Sequence, residues 1–211
     1  MQKRIAVNHY HNSLIKRTFD LLISSVGIVL FFPVILIIAL LIKLTSGRPI
    51  FFRQRREGLK GKIFDLIKFR TMIVGADREQ KKYMHLNEAD GPVFKIQNDP
   101  RYTKIGKILA QTGLDELLQL INVLKGEMSL VGPRPLPVYE ATKLTKAQKA
   151  RELVKPGITS SWVVRGSHKL KFREWMRLDR EYVENAAFYK DLKIIFQTAT
   201  MIIKSILRQI S

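Results

Sequence analysis

Residues 21–42, LLISSVGIVLFFPVILIIALLI, limit the folding of this chain more than any other feature. The run has 22 residues and no charge. A helix in water needs a polar face, and this run is apolar all round. Roughly 20 apolar residues are needed to span the hydrocarbon of a membrane. The run is too long for a signal peptide, and no small-residue cleavage site follows it. The sequence therefore predicts a segment buried in lipid.

Basic residues flank this run at both ends. Lys16 and Arg17 precede it, and Lys43 and Arg48 follow it. Positive residues stay on the cytoplasmic side of a membrane, so a single span is expected to be basic mainly at one end. Basic flanks at both ends indicate that both ends lie on the same side.

Pro33 lies near the middle of the run. Proline removes a backbone hydrogen bond and clashes with the preceding turn, so it kinks or breaks a helix. Two half-helices of about eleven residues, at ~1.5 Å per residue, each reach only ~16 Å deep. The sequence predicts a re-entrant membrane hairpin over about residues 19–42, bent at Pro33, within an N-terminal segment of residues 1–48.

The C-terminal residues 192–210 carry apolar side chains at three- and four-residue steps, which is typical of one helical stripe. We predict an amphipathic helix over residues 191–211. Two interpretations of its stripe remain open: packing against the core of the protein, or lying in the membrane interface.

The polar residues between these segments predict a mixed domain over residues 49–190. PIFFRQ and KIFDLIKFRTM are typical of short strands, and the glycine-rich EGLKGK between them indicates a hairpin. The predicted fold class is α+β: a helix-rich cytoplasmic domain with a small β-hairpin or sheet, a Pro-broken re-entrant membrane helix and amphipathic interfacial helices.

The charge of the chain indicates an anionic partner. Lys and Arg number 37 against 18 Asp and Glu, a formal net charge of +19. Nucleic acid, anionic lipid or a phosphate-bearing substrate would each account for this excess. The chain has no cysteine, which excludes disulfides and Cys-ligated metals.

An acidic pair, Asp115 and Glu116, stands out against this basic background. It opens a predicted helix in TGLDELLQLINVLKGEMSLVGPRP, residues 112–135, and Asp115 lies off the apolar stripe of that helix. One interpretation is that two acids in a first turn complement the helix dipole.

The residues around the pair favour a second interpretation. Arg134 stands between two prolines, which restrict the backbone on either side of it, and a fixed guanidinium suits phosphate oxygens. Other basic residues in short polar motifs are Lys68, Arg70, Arg101 and Lys104. A basic pocket with one acidic pair indicates phosphoryl chemistry. One carboxylate would attack phosphorus and the other would hold Mg²⁺, a cation that prefers oxygen ligands.

The motifs continue over nearly the whole chain. They are KRTFD, FFRQRREGLKGKIFDLIKFRTM, NDPRYTKIGKIL, LDELLQLINVLKGEMSLVGPRPLP, VKPGIT, LDREYV and DLKIIFQT. In this order they resemble the bacterial sugar transferases, the monotopic phosphoglycosyl transferases that start the assembly of polysaccharides and glycoprotein glycans. A Pro-broken re-entrant hairpin is also a feature of that family.

The resemblance implies a Mg²⁺-dependent enzyme whose catalytic domain is residues 49–190. It would move a sugar-1-phosphate from a UDP-sugar to a polyprenyl phosphate, usually undecaprenyl phosphate, and release UMP. Asp115 matches the nucleophile, Glu116 the residue associated with Mg²⁺, and Arg134 the phosphate-binding arginine. Nearby cations are expected to keep Asp115 ionised. Lys68, Arg70 and Arg101 match further basic positions.

The resemblance also implies a location and partners. It places the protein at the cytoplasmic face of the bacterial inner membrane, against an anionic lipid surface. It is compatible with a homodimer, and the expected pathways are exopolysaccharide, capsule, O-antigen or glycoprotein glycan synthesis. Nucleic acid is not an expected partner.

The chain departs from the family pattern at several positions. Ala110 stands where the family has a basic residue, Gly113 where it has serine, and Leu118 where it has proline. A stretch read as GWAQVNGR in the family is SSWVVRGSHK here, residues 160–169. We interpret this stretch as a sugar- or nucleotide-binding region, so it bears on sugar identity.

Two other classes of function explain the sequence less well. A nucleic-acid-binding protein would account for the charge but not for the apolar run, and its aromatic residues would form stacking platforms. A non-enzymatic membrane scaffold would account for the apolar run but would leave LDE and GPRP unexplained.

Overall fold

A computed structural model describes residues 6–166 and 170–210. Its first large element is the helix α1, Leu14–Ser46, which begins at a Ser13 N-cap whose side chain accepts a hydrogen bond from the Lys16 N–H and ends at Gly47. Pro33 lies inside this helix, and helical structure continues through it. The predicted break into two separate half-helices is therefore absent from the secondary structure of these residues. Proline is tolerated in membrane helices where neighbouring groups satisfy the backbone.

One helix among the described residues, α1, is long and apolar enough to cross a membrane. Only 11% of its most apolar window is buried inside the protein, so it is not the central helix of a soluble core. Its outward side chains include large aliphatic and aromatic residues, such as Leu22, Val29, Phe32 and Leu40.

Both ends of α1 contact the same globular body. Near its start, Arg17 donates hydrogen bonds to the carbonyls of Val123 and Leu124. Near its end, Ile38 and Ile42 are buried against a cluster that includes Phe69, Leu109 and Leu118. The body thus holds the helix at both ends.

The predicted β-hairpin around EGLKGK is confirmed. Strand β1, Phe51–Glu57, pairs antiparallel with β2, Ile63–Phe69, with Phe51 opposite Phe69 and Glu57 opposite Ile63. A second small sheet joins β3, Ser129–Val131, to β4, Gly157–Thr159, in parallel. This second pairing brings the chain just after β3 alongside the VKPGIT segment.

Helices make up most of the remaining structure, in agreement with the helix-rich fold that the sequence predicts. They are α2 Lys104–Thr112, α3 Gln119–Leu124, α4 Val138–Ala141, α5 Ser161–Val164, α6 Phe172–Asn185 and α7 Phe188–Ile210, with 3₁₀ helices at His9–Asn12, Leu59–Gly61, Gln80–Leu86, Leu114–Glu116 and Gln148–Leu153. The described chain is therefore α+β in character, with small sheets inside a mainly helical body.

The helix α7 has the amphipathic pattern that the sequence predicts. Its buried side includes Asp191 and Ile194, while Phe196, Ile203 and Leu207 are exposed. The apolar stripe thus serves both surfaces, since part of it packs on the body and part of it faces outward. Residue 211 of the predicted segment, like residues 1–5 of the N-terminal one, lies outside the described residues.

A buried polar cluster joins α1 to α7. The Lys16 ammonium lies 2.6 Å from Oδ2 of Asp191 and 3.4 Å from Oδ1 of Asp20. It also donates to the carbonyl of Val131, the last residue of β3. The Tyr182 hydroxyl donates to the same carbonyl and contacts the second Asp191 oxygen. The cluster therefore fixes the end of β3, which leads into the Pro-Arg-Pro turn.

Candidate active site

The acidic pair lies on the 3₁₀ helix Leu114–Glu116, between α2 and α3. The sequence predicted one continuous helix from this point, and that prediction is wrong in this detail. Gly113 ends α2 with a φ of 76°, a left-handed conformation that glycine adopts without steric penalty. The tight turn that follows leaves Asp115 only 5% exposed, facing the body of the protein.

Lys68 is the cation nearest to Asp115. It lies on β2, and its Nζ is 3.9 Å from Oδ2 of Asp115. The same ammonium lies 5.6 Å from the centre of the Phe52 ring, which is opposite it on β1. Burial lowers the pKa of Lys68, and the charge of Asp115 acts in the opposite direction.

Arg134 binds Glu116 through both arms of its guanidinium. Nη1 donates to Oε2 at 3.3 Å, and Nη2 makes a closer contact with Oε1. Pro133 and Pro135 restrict the backbone around this arginine. Burial acts to raise the pKa of Glu116, but the charge and hydrogen bonds of Arg134 outweigh burial and hold that pKa below its usual range.

The electrostatics of Asp115 differ from the expectation that nearby cations keep it ionised. Burial raises the pKa of Asp115 to about 7, and Glu116 acts in the same direction. Lys68 and Arg134 oppose this shift without overcoming it. The physical reason is that the turn removes the carboxylate from water, and desolvation disfavours its charged form.

Arg70 lies apart from this group of side chains. It is 6% exposed, and its donors go to backbone carbonyls of Ser46, Gly47, Pro49 and Met72. Two of these carbonyls are at the end of α1, where a cation also complements the helix dipole. The structure therefore gives Arg70 the role of a cap for α1, with its donors already engaged.

Arg101 and Lys104 are also separate from the acidic pair. Arg101 is buried, forms a two-point contact with Asp99, and donates to the carbonyl of Ala76. Lys104 is exposed at the first position of α2. Of the five predicted basic residues, Lys68 and Arg134 thus contact the carboxylates, while the other three lie elsewhere.

Arg56 and Lys95 are near the pair, and sequence reasoning missed both as site residues. Arg56 donates to the carbonyl of Pro135, next to Arg134. Burial and then Arg134 lower the pKa of Arg56 to about 10, and the same two causes lower that of Lys95 to about 8. Side chains alternate between the two faces of a strand, so Arg56 lies on the same face of β1 as Phe52, the residue opposite Lys68. This alternation could have identified Arg56 from the sequence.

The possible metal ligands in this region are the two adjacent carboxylates. Among the residues described, His, Cys, Asp and Glu form no cluster of three or more suited to a metal ion. Mg²⁺ rarely uses a cage made only of protein, and it is commonly held by one or two carboxylates plus substrate phosphates. The oxygen donors of Asp115 and Glu116 fit this pattern.

The unusual stretch 160–169 is only partly described, because residues 167–169 lie outside the described residues. Ser160 caps α5 by accepting a hydrogen bond from the Val163 N–H. Trp162 is buried and stacks on Trp175 of α6, with ring centroids 4.3 Å apart. The described part of the stretch is therefore anchored to α6.

Comparisons with known proteins agree on one family. The sequence profile described as bacterial sugar transferase matches residues 11–205. The chain is 37% identical to the exopolysaccharide production protein ExoY of Rhizobium meliloti, over 87% of this chain and 83% of ExoY. It is 38% identical to the galactosyl transferase CpsE of Streptococcus agalactiae, over 92% of this chain and 43% of CpsE.

A third relative carries a more specific name. The UDP-glucose:undecaprenyl-phosphate glucose-1-phosphate transferase of Escherichia coli is 39% identical, over 89% of this chain and 40% of the relative. The chain thus spans most of ExoY but less than half of the other two proteins. With a family match from residue 11 to residue 205, this chain is a member of the bacterial sugar transferase family.

Proposed function

We propose that the protein transfers a sugar-1-phosphate from a UDP-sugar to a polyprenyl phosphate such as undecaprenyl phosphate. The observation that carries this proposal is a buried Asp115 carboxylate, with Lys68 on one side and the Glu116–Arg134 pair beside it. The names of relatives support the choice of substrates. They include the Escherichia coli enzyme above and the undecaprenyl-phosphate galactose phosphotransferase of Salmonella typhimurium, which is 36% identical to this chain.

The reaction has two balanced steps. In the first, a carboxylate oxygen of Asp115 forms a bond to the β-phosphorus, and the bond from that phosphorus to the bridging oxygen breaks. UMP leaves with the bridging oxygen, and the phosphosugar remains on Asp115 as an acyl phosphate. In the second, a phosphate oxygen of the lipid attacks the same phosphorus and releases the carboxylate. The product is a polyprenyl-diphosphate sugar.

The basic side chains would stabilise the negative charge that moves from the attacking oxygen to the leaving group in each step. Lys68 is close enough to Asp115 to favour its ionised form when the nucleophile is needed. Arg134 presents a guanidinium on a restricted turn, a geometry that matches phosphate oxygens. Because its donors contact Glu116 without substrate, phosphate binding would require Arg134 to share or exchange that partner.

Release of UMP tests the function directly. Detergent-purified protein with undecaprenyl phosphate should release UMP from at least one member of a panel of UDP-sugars. UMP is expected, since the bond that breaks lies between the two phosphorus atoms. Release of UDP would mean that the sugar alone is transferred, and it would contradict the proposal. A panel without lipid measures the background, in which the first step alone releases no more than one UMP per enzyme molecule.

Mg²⁺ is the metal that we propose for the site, with Glu116 as its main ligand and Asp115 beside it. When bound, it would neutralise charge on the diphosphate and the leaving group. Glu116 would be the protein ligand, on the same 3₁₀ turn as the nucleophile Asp115, and the phosphates of the substrate would complete the set.

Removal of the metal should abolish turnover. EDTA is expected to stop UMP release, and added Mg²⁺ should restore it. Glu116→Gln should keep the fold and raise the Mg²⁺ concentration needed for half-maximal activity, whereas Glu174→Gln, on the outer face of α6, should behave as wild type. Full activity in metal-free buffer would exclude the metal from the mechanism.

The membrane arrangement that we propose is monotopic, with α1 re-entrant and the body on the cytoplasmic face of the inner membrane. A full span would carry one end of α1 about 30 Å away from the other across the hydrocarbon. The body contacts α1 near Arg17 and again near Ile42, and it holds the final carbonyls of α1 through Arg70. One body on one side of the bilayer can hold both ends only if the helix does not cross.

Thiol labelling tests this arrangement, and the absence of natural cysteines removes the background. His9→Cys and Thr45→Cys place exposed thiols near the two ends of α1. Both should resist a membrane-impermeant reagent applied to intact cells and react after permeabilisation. Labelling of one position from outside would show that α1 spans the membrane.

A further inference from the structure

Arg151 contacts the backbone of the Pro-Arg-Pro turn, residues 133–135. It lies on the 3₁₀ helix Gln148–Leu153 and is 6% exposed. Its Nη2 donates a hydrogen bond to the backbone carbonyl of Arg134, whose side chain holds Glu116. Arg151 thus contacts the backbone of the residue that binds the acidic pair.

Asp179 holds Arg151 from the other side. It lies on α6 and is 2% exposed, with Oδ2 placed 2.9 Å from Nη2 of Arg151. The contact is an ion pair without the alignment of a hydrogen bond. Burial raises the pKa of Asp179 to about 6, and the charge of Arg151 opposes that shift. The pair connects α6 to the turn that carries Arg134.

Packing alone does not account for a guanidinium at this place. Nη1 of Arg151 is buried without a hydrogen-bond partner among the described residues. It lines a small cavity beside the turn together with Glu57 and Glu152. One carboxylate oxygen of each also lacks a hydrogen bond within the described chain, and the Glu57 oxygen lies 3.5 Å from the Lys149 ammonium. Unsatisfied buried polar groups are unfavourable, and apolar side chains of similar volume often replace buried ion pairs without loss of stability. The arrangement therefore indicates a role other than stability.

The carbonyl that Arg151 holds is a point of remaining freedom in the turn. Pro133 and Pro135 fix their own φ angles and narrow the conformations of the residues before them. Pro135 still leaves the ψ angle of Arg134 a range of about 40°, and within that range the peptide plane that begins at the Arg134 carbonyl can tilt. A hydrogen bond from a buried guanidinium to that oxygen restricts the tilt, and with it the direction of the Arg134 side chain.

We propose that Arg151, held by Asp179, is a positioning residue that sets the direction of Arg134 and so the geometry of the Arg134–Glu116 pair. The inference rests on the proposed phosphosugar transfer, in which Arg134 binds phosphate. Arg151 itself touches neither substrate nor the reacting atoms; it acts through the backbone of Arg134.

A double-mutant cycle separates this role from a general structural one. Arg151→Met should lower kcat about 100-fold, the size expected when a binding group is displaced by about 1 Å. Arg151→Met/Asp179→Leu, which leaves no unpaired buried charge, should show the same loss. Arg177→Met, which removes an exposed arginine of α6, should retain the wild-type kcat. In an Arg134→Lys background, Arg151→Met should change kcat by no more than about twofold, because its target is already altered.

The outcomes are distinct. Equal losses in the wild-type and Arg134→Lys backgrounds would show that Arg151 does not act through Arg134, and unchanged kcat in both Arg151 variants would overturn the proposal outright. An inactive wild-type protein would contradict the proposed function instead. Hydrogen exchange then decides: peptides covering residues 129–136 should exchange faster in Arg151→Met than in Arg177→Met, while the β1–β2 hairpin stays unchanged. Unchanged exchange in the turn would exclude the positioning role.

Discussion

Asp115→Asn is expected to reduce turnover by roughly 10⁴-fold or more, as removal of an enzymatic nucleophile does. Asparagine has nearly the same shape, but its amide cannot attack phosphorus. The fold should survive, since burial already favours the uncharged form of this side chain. Asp65→Asn, which removes an exposed carboxylate from the neighbouring β2, is the matched control. UMP release measures the loss of turnover, and membrane association shows whether the fold survives.

The same variant tests the interpretation that the acid only complements a helix dipole. In that case the loss should be about 1 kcal/mol of stability or less, with activity nearly intact. The structure already weakens this interpretation, because Asp115 lies in a three-residue 3₁₀ turn and contacts Lys68.

A labelled substrate shows whether Asp115 becomes covalently modified. A UDP-sugar labelled in its β-phosphate, supplied without lipid, should leave label on a peptide that contains Asp115, with UMP released in equal amount. The Asn variant should retain none. Label that transfers only in the presence of lipid, with no enzyme-bound species, would favour direct displacement and contradict the two-step mechanism.

Lys16→Met is expected to destabilise the protein by about 3–5 kcal/mol, the loss typical of a broken buried ion pair. The change leaves Asp20 and Asp191 buried without their shared cation. Lys43→Met, at an exposed position of the same helix, should cause little change. The midpoint of thermal unfolding in detergent is the measurement.

A second substitution distinguishes unpaired charge from lost packing. Lys16→Met/Asp191→Leu removes both members of the closest pair and should recover most of the lost stability. No recovery would show that the unpaired charge of Asp191 is not the main cost. The lost contacts of Lys16 with Asp20 and the Val131 carbonyl, or the lost acceptor of Tyr10 and Tyr182, would then account for the destabilisation. Unchanged stability in Lys16→Met itself would contradict the expectation.

Local sequence signals predicted the elements that depend on neighbouring residues. The β1–β2 hairpin follows from two short strand-like segments around a glycine-rich turn, and the end of α2 follows a local signal, the glycine at position 113. The continuous helix predicted after Gly113 was wrong, because the chain first forms a tight 3₁₀ turn at Leu114–Glu116 and α3 begins only after it. The parallel pairing of β3 with β4 was beyond local signals, since it joins residues far apart in the chain.

The candidate site was predictable in its acidic pair and less so in its cations. A basic residue in a polar motif can bind phosphate or backbone carbonyls, and the choice depends on what the tertiary fold brings near it. Arg70 meets the end of α1, and Arg101 meets Asp99, while Lys68 and Arg134 meet the carboxylates. Sequence gives the charge of each side chain but not this partner.

The Lys16–Asp191 contact also sets an order of events during synthesis. The two residues are 175 positions apart, so at about 5–20 residues per second the counter-charge emerges roughly 9 to 35 seconds after Lys16. The apolar helix leaves the ribosome, and can meet the lipid, long before α7 exists. Of the two acids that contact Lys16, Asp20 lies one helical turn away and is synthesised together with it. The Lys16–Asp191 contact between α1 and α7 can therefore form only after residue 191 has been synthesised, later than the contacts of α1 with residues 69–124.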